Sequence, residues 1–332
     1  MGVKKVMKMK EIAKMCDVSI STVSRVLNNK SGVRDEVREK VLKVIKETDF
    51  TPNIYAQSLT TKKTKTIGVF IPGVDTYFRK IIFGITDFFS KKNYSILLSA
   101  DRYKSEVENI EFLLNKNVDG IIYFPWYIDN SIDGKIKEFG NKKPFVIIDY
   151  EFKDIPCVIQ DHYSSMKEIV EFYLKNDKKN LLFINGQEYN YSSQIRKKSF
   201  ENTLKNNNIH NYKILEASFS IDESYKIIEN FFNNNKISDY DGIICCNDSI
   251  AISCISYLKS VNVNIPKRVW ISGFDDMDIV KYITPSLTSV SYDKYQLGYN
   301  AAVLLYQQIK SKNSINKISM NYKIVYRNST GG

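Results

Sequence analysis

The sequence predicts an all-α helix-turn-helix bundle at the N-terminus, followed by an α/β core of two doubly wound, parallel-sheet lobes. Three observations predict it. Residues Lys8 to Asn28 place apolar side chains at helical spacing on either side of a short polar break. From Thr66 onward, short Ile- and Val-rich runs alternate with amphipathic stretches, the pattern of parallel strands joined by helices. The alternating region spans roughly 260 residues, too many for one such sheet and enough for two halves of about 100 to 150 residues.

In the first segment, Ile12, Ala13, Val18, Val23, Val26 and Leu27 are spaced to bury one face shared by two short helices. Ala13 is small enough to let them cross closely, and Ser19 stands where the second helix needs an N-cap. Ile20, Ser21 and, one turn later, Arg25 stay exposed. A helix so presented lies in the major groove of DNA and touches base edges with its N-terminal residues. A polar turn from Asn28 to Gly32 leads to a third helix, about Asp35 to Glu47, striped by Val37, Val41, Val44 and Ile45. Pro52 and Asn53 open a helix of about two turns ending at Leu59, too short to be stable alone in water. A Thr/Lys run follows as a linker. The expected division is a DNA-binding domain over 1–49, a hinge helix and linker over 50–65, and a core over 66–332 for ligand binding and dimerisation.

Core strands are expected at Ile67 to Pro72, Ser95 to Ala100, Gly120 to Pro125, Pro144 to Asp149, Val158 to Asp161, Leu181 to Gly186, Ile214 to Ser218, Gly242 to Asn247, Trp270 to Phe274 and Ile324 to Arg327. Helices are expected over Phe78 to Lys91, Ser105 to Asn115, Ser164 to Lys175, Gln194 to Asn206, Asp222 to Asn234 and Ser249 to Val261. The N-lobe is expected to combine about 66–161 with 293–320, and the C-lobe about 162–292 with 321–330.

Charge points to a polyanionic partner. The net charge is +11. Residues 1–65 carry 15 basic and 7 acidic side chains, against 33 and 30 in the rest. The excess is therefore concentrated beside the predicted reader, where it favours phosphate contacts and counterion release. The polar, lysine-bearing start and the lack of a long apolar run predict a cytoplasmic protein with no membrane association. Five cysteines without metal-like spacing predict reduced thiols packed as small hydrophobes. With only two histidines, His162 and His210, metal or triad chemistry that depends on histidine is not expected.

In open α/β sheets the ligand sits beyond the carboxyl ends of the strands. The residues there include Trp126, Asp149, Tyr150, Asp161, Asn247, Asp248, Asp275 and Asp276. Carboxylates accept hydrogen bonds from vicinal hydroxyls, amides donate and accept, and an indole face stacks on sugar C–H surfaces. The set suits a polyhydroxylated ligand, although each Asp or Asn alone also suits a turn or an N-cap.

Several motifs occur in one order. They are A-x-x-x-x-V-S-x-x-T-V-S-R-V-L-N from Ala13 to Asn28, P-N-I-Y-A-Q-S-L from Pro52 to Leu59 and V-D-G-I-I from Val118 to Ile122. S-x-x-R-x-x-S-F from Ser193 to Phe200, Asn247-Asp248 with Ala251, S-G-F-D-D from Ser272 to Asp276 and P-S-L-T-S-V from Pro285 to Val290 complete the series. Through these the chain resembles, over nearly its whole length, the lactose/galactose-repressor family of bacterial transcription regulators. The resemblance implies core lobes of the periplasmic-binding-protein type. It implies base reading by Ile20, Ser21 and Arg25, and phosphate contacts from Ser19, Thr22, Ser24 and Asn28. It further implies a minor-groove hinge carrying Asn53, Ala56 and Leu59, with Leu59 as the wedge between base steps. It places Tyr77, Phe78, Trp126, Asp161, Arg196, Asn247 and Asp275 around a small effector, expected to be a carbohydrate. The implied protein is a homodimeric repressor on a near-palindromic double-stranded operator, with no cofactor, metal or catalytic residue.

The chain departs from the family pattern in places. Asp17 replaces the usual turn glycine, Lys8 and Arg34 replace helix-capping hydroxyls, so fraying is expected at both helix starts, and the loop Pro72 to Arg79 lacks the common form. No leucine-heptad tail is expected. Three other classes compete: a regulator driven by a protein corepressor, a sugar-binding protein without regulation, and an enzyme using the cleft carboxylates. No nucleophile–base pair or phosphate-cradling glycine loop supports the enzyme.

Overall fold

A computed structural model describes residues 7–27, 30–48, 50, 63–101, 103–127, 130–310 and 317–332. Asn28, Asn53, Ala56 and Leu59 lie outside the described residues. The chain divides into two compact units, 1–64 and 65–332.

In the first unit, α1 (Met9–Cys16), α2 (Ile20–Leu27) and α3 (Asp35–Glu47) enclose a small core. Ile12, Ala13, Cys16, Val23, Val26, Val41 and Phe50 are its buried members. Asp17 takes the left-handed conformation that ends α1, φ 55° and ψ 48°, which Asp tolerates better than most residues. The start of α1 is closed rather than frayed, because the Glu11 carboxylate accepts the Lys8 N–H at 2.7 Å. At α3 the Arg34 side chain makes no cap, but Asp35 and Glu36 in the first turn complement the helix dipole.

The second unit carries the rest in chain order: β1 (Thr66–Phe70), α4 (Thr76–Ser90), β2 (Ser95–Ser99), α5 (Glu106–Asn115), β3 (Gly120–Tyr123), α6 (Asn130–Lys142), β4 (Phe145–Ile148) and β5 (Cys157–Gln160). It continues with α7 (His162–Lys175), β6 (Leu181–Asn185), α8 (Tyr191–Asn206), β7 (Tyr212–Glu216), α9 (Ile221–Asn234), β8 (Gly242–Cys245), α10 (Asp248–Ser260) and β9 (Trp270–Phe274). The last elements are β10 (Thr288–Tyr292), α11 (Lys294–Lys310), β11 (Lys317–Met320) and β12 (Tyr322–Val325).

Two six-stranded sheets result, ordered β11-β5-β4-β3-β1-β2 and β12-β10-β9-β8-β6-β7. Their pairings are parallel except that β12 runs antiparallel to β10. The chain passes between the lobes after β5, after β10 and after β11, so each lobe is completed by a distant segment. Four elements go beyond the sequence expectation: α6, β10, α11 and β11. In α6, Gly134 and Gly140 weaken the helical signal. In α11, Leu297, Gly298, Ala301, Ala302, Leu304 and Leu305 form the buried face, but Tyr295, Tyr299, Val303 and Tyr306 lie outside it and blur the polar face that marks a helix. Among the described residues, no helix is long and apolar enough to cross a membrane.

Candidate functional site

The exposed face of α2 is built as its spacing requires. Val23 and Val26 face the core, while Ile20, Ser21 and Arg25 face outward, Ile20 with 48 % of its surface exposed. Ser19 caps the helix, its Oγ accepting the Thr22 N–H at 3.1 Å. The same oxygen lies 2.6 Å from Ser21 Oγ and 2.9 Å from Thr22 Oγ1, a cluster of hydroxyls at the helix start. Ser24 is half-buried on the same helix. A helix N-terminus rimmed with hydroxyls is suited to oxyanions such as phosphate.

The second site is a cleft at the carboxyl ends of the strands of both sheets, with about 700 Å³ of empty space including its mouth. Its walls contain Tyr77, Phe78, Trp126, Arg196, Asn247 and Asp275, six of the seven residues named from the sequence. Asp161 is the exception. It ends β5 just before α7, and its carboxylate caps that helix by accepting the Ser164 N–H at 2.9 Å. The cap geometry holds the carboxylate away from the cleft, and Asp149, at the end of β4, lines the wall instead.

Arg196 organises the floor. It projects from α8 with 3 % of its surface exposed. Its Nη1 donates to the Cys246 carbonyl at 2.5 Å, its Nη2 lies 3.7 Å from Asp275 Oδ1, and its guanidinium sits 3.8 Å from the Phe274 ring centre. Nη2 also meets His162 Nδ1 at 3.2 Å. Because arginine only donates, Nδ1 has to accept, so the imidazole proton resides on Nε2. That nitrogen lies 2.9 Å and 3.0 Å from the two Asp149 oxygens. A buried chain Asp149–His162–Arg196–Asp275 thus ties an N-lobe strand end to the C-lobe. Sequence reading passed over His162 because it looked for catalytic or metal spacing. Its position directly after a strand end was the available signal.

The S-G-F-D-D motif separates into distinct tasks. Asp275 faces the cleft, and Asp276 binds Arg327 Nη2 at 2.6 Å. Beneath them the fully buried Asp248 accepts from Met277 N at 2.7 Å and Ser289 Oγ at 2.6 Å, fixing the loop. Burial, and then the neighbouring Asp275 charge, push the Asp248 carboxyl well above its ordinary value. Burial likewise raises Asp275, against the lowering pull of Arg196. The Tyr77 phenol accepts from Gln160 Nε2 at 2.9 Å. Burial and the Asp275 and Asp149 charges push it well above the usual phenol range, so it remains a hydrogen-bond donor.

Glu106 sets the aromatic wall, a role no motif announced. Its buried carboxylate accepts the N–H groups of Trp126 and Tyr127 at 2.7 Å and 2.9 Å and bonds the Tyr123 hydroxyl. So held, the loop after β3 meets the other lobe through ring pairs. Trp126 packs on Phe219 at 5.1 Å and Tyr127 on Tyr189 at 4.7 Å, while Tyr150 packs on Tyr191 at 5.1 Å. Across another part of the rim, Lys80 pairs with Asp278 at 2.7 Å. Phe219, at the end of β7, was reachable by the same strand-end rule that found Trp126.

Two family models match the chain. Residues 8–53 match the family described as bacterial regulatory proteins, lacI family, and residues 170–330 match the periplasmic binding protein-like domain. Catabolite control protein A of Staphylococcus xylosus is 31% identical over 330 residues, covering 96% of this chain and 98% of that protein. The ribose operon repressor of Haemophilus influenzae is 27% identical over 316 residues, 92% of each chain. Among solved structures, the lac repressor dimer bound to operator and the anti-inducer ONPF matches with a TM-score of 0.90 at 22% identity, over 98% of this chain and 99% of that one. At that identity the likeness establishes the fold.

Proposed function

The chain belongs to the lacI family of bacterial regulatory proteins, and from that premise we propose that it is a cytoplasmic, homodimeric repressor whose operator binding is set by a sugar in the cleft. Ile20, Ser21 and Arg25 read base edges in each half of a near-palindrome, since the operator mirrors the two-fold axis of the dimer. Ser19, Thr22, Ser24 and Asn28 hold phosphates and fix register. Asn53, Ala56 and Leu59 form the minor-groove hinge, with Leu59 wedged between base steps. Phe83 on α4 and Leu98 on the edge strand β2 leave apolar side chains exposed, 54% and 37%, and supply part of the surface for a second copy. Of the cleft carboxylates, Asp75 caps α4, Asp149 bonds His162 and Asp275 faces Arg196, which supports a binding role for the cleft.

The observation that carries this reading is the Asp149–His162–Arg196–Asp275 chain at the base of a two-lobed cleft. A ligand bonded to those groups favours one lobe arrangement over the other. A coupling of about 1–3 kcal/mol to DNA binding is sufficient for regulation. Footprinting on the protein's own upstream region should protect a near-palindrome; protection without two-fold symmetry would sink the reading. Arg25→Ala should weaken discrimination between operator and random duplex by about 1–3 kcal/mol per half-site. An unchanged ratio would remove Arg25 from base reading.

Fluorescence gives a second check. Trp126 lies against Phe219 in the cleft, whereas Trp270 stacks on Phe172 away from it. Trp270→Phe should retain a ligand-dependent emission change, and Trp126→Phe should lose it. The reverse pattern would place the ligand elsewhere.

A further inference from the structure

Resting on the reading of the cleft as a sugar-effector site, we propose that its ligand is a sugar without an anionic group, and that phosphorylated or carboxylated sugars are excluded. The argument lies in which hydrogen-bonding groups remain free.

An anion in such a cleft would be held by helix N-termini and by basic side chains. Among the described residues three helices begin at the wall, and each start carries a side-chain cap that takes up one or two of its N–H groups. Asp75 accepts from Tyr77 N and Phe78 N at the start of α4. Asn190 accepts from Ser193 N at α8, and Asn247 from Ile250 N at α10. Among the described residues the wall contains one basic side chain, Arg196. Its charge is matched by Asp275, and its Nη atoms bond Cys246 and His162, while its Nε is buried without a partner. The buried Lys294 points its ammonium at the Asp275 carbonyl, and it is not part of the wall.

What the cleft offers instead is acceptor capacity. Asp149 and Asp275 both line it. Asp149 receives the His162 and Gln160 donors, and Asp275 faces Arg196 at ion-pair distance. A carboxylate has about four lone-pair sites, so both retain room for ligand hydroxyls. A sugar hydroxyl donates to them, whereas a phosphate oxygen can only accept. An anion would also bring like charge against Asp149 and Asp275, only one of which Arg196 offsets, and like charges brought together in an interface cost several kcal/mol. An aminated sugar meets no such opposition.

The test is thermal unfolding of the full chain with D-ribose, D-glucose, D-galactose and D-glucosamine, each beside its terminal phosphate ester, with inorganic phosphate as control. A bound sugar raises the midpoint by mass action. The expected result is that at least one neutral or aminated sugar stabilises the protein, and that its phosphate ester binds on the order of a hundredfold more weakly or worse. An ester that binds as well as its parent sugar overturns the charge selection and leaves the effector reading standing. No stabilisation by any sugar overturns the effector reading and the inference with it. Asp275→Asn, which keeps the side-chain shape, should narrow the gap between a sugar and its ester; an unchanged gap overturns the electrostatic origin.

Discussion

Arg196→Met should cost about 3–5 kcal/mol of stability, the range for removing one partner of a buried ion pair, and should abolish the response to ligand. Methionine keeps the length of the side chain and its contact with Phe274. It leaves three groups stranded: the Asp275 carboxylate, the Cys246 carbonyl and His162 Nδ1, all served by one guanidinium in the native protein. Stranded buried groups account for most of such a loss, more than the missing attraction itself. Arg196→Lys should fall between, because an ammonium restores the charge but cannot reach the carbonyl and the imidazole together as the planar fork does. Urea unfolding measures the difference. A loss for Arg196→Met below about 1 kcal/mol, the level of an exposed ion pair, would show that the buried chain does not hold the lobes.

Gly298→Ala should be damaging although it adds a single methyl group. A Cβ there would lie 2.0 Å from the Ile81 carbonyl oxygen, and one at Gly84 would lie 2.1 Å from the Tyr295 carbonyl oxygen. The two glycines let α4 and α11 approach backbone to backbone, and neither backbone is a flexible side-chain tip that can swing aside. Forced separation costs about 1–3 kcal/mol or more. It also reaches the cleft, because α4 carries Tyr77 and Phe78 to the wall. The expected result is a lower unfolding midpoint together with weaker ligand binding. Gly134→Ala is the control: its Cβ would meet nothing within 4 Å, so relief of helix entropy should leave stability equal or raise it by up to about 1 kcal/mol. A Gly298 variant that behaves like the Gly134 variant would mean the helices have slack at their crossing.

Much of the cleft was legible because strand ends are short-range features. A parallel strand of Ile and Val that stops at an Asp, Asn or Trp marks its own carboxyl edge, and this found Trp126, Asn247 and Asp275. The same rule misassigned Asp161, since an Asp between a strand and a helix serves equally as an N-cap, and only the direction of the next N–H group decides between the two. Glu106 and His162 were passed over for the converse reason. Their partners lie at sequence separations of 17 to 21 and of 13 and 34, and no local pattern encodes such pairings. The element α11 escaped because Tyr295, Tyr299, Val303 and Tyr306 lie outside its buried face and blur the polar face by which a helix is recognised.

The sequence by itself determined the helix α2, its exposed Ile20, Ser21 and Arg25, and the alternation that makes two largely parallel sheets. Each follows from periodicity within a few turns or strands, where side-chain spacing dictates which face is buried. The tertiary structure alone decided that the 293–320 segment enters the first lobe as helix α11 and edge strand β11 beside β5, and that Arg196 is neutralised by Asp275. It alone placed side-chain caps over the helix starts of the cleft. Those outcomes depend on groups far apart in the chain competing for the same few donors and acceptors, a competition that only the folded packing resolves.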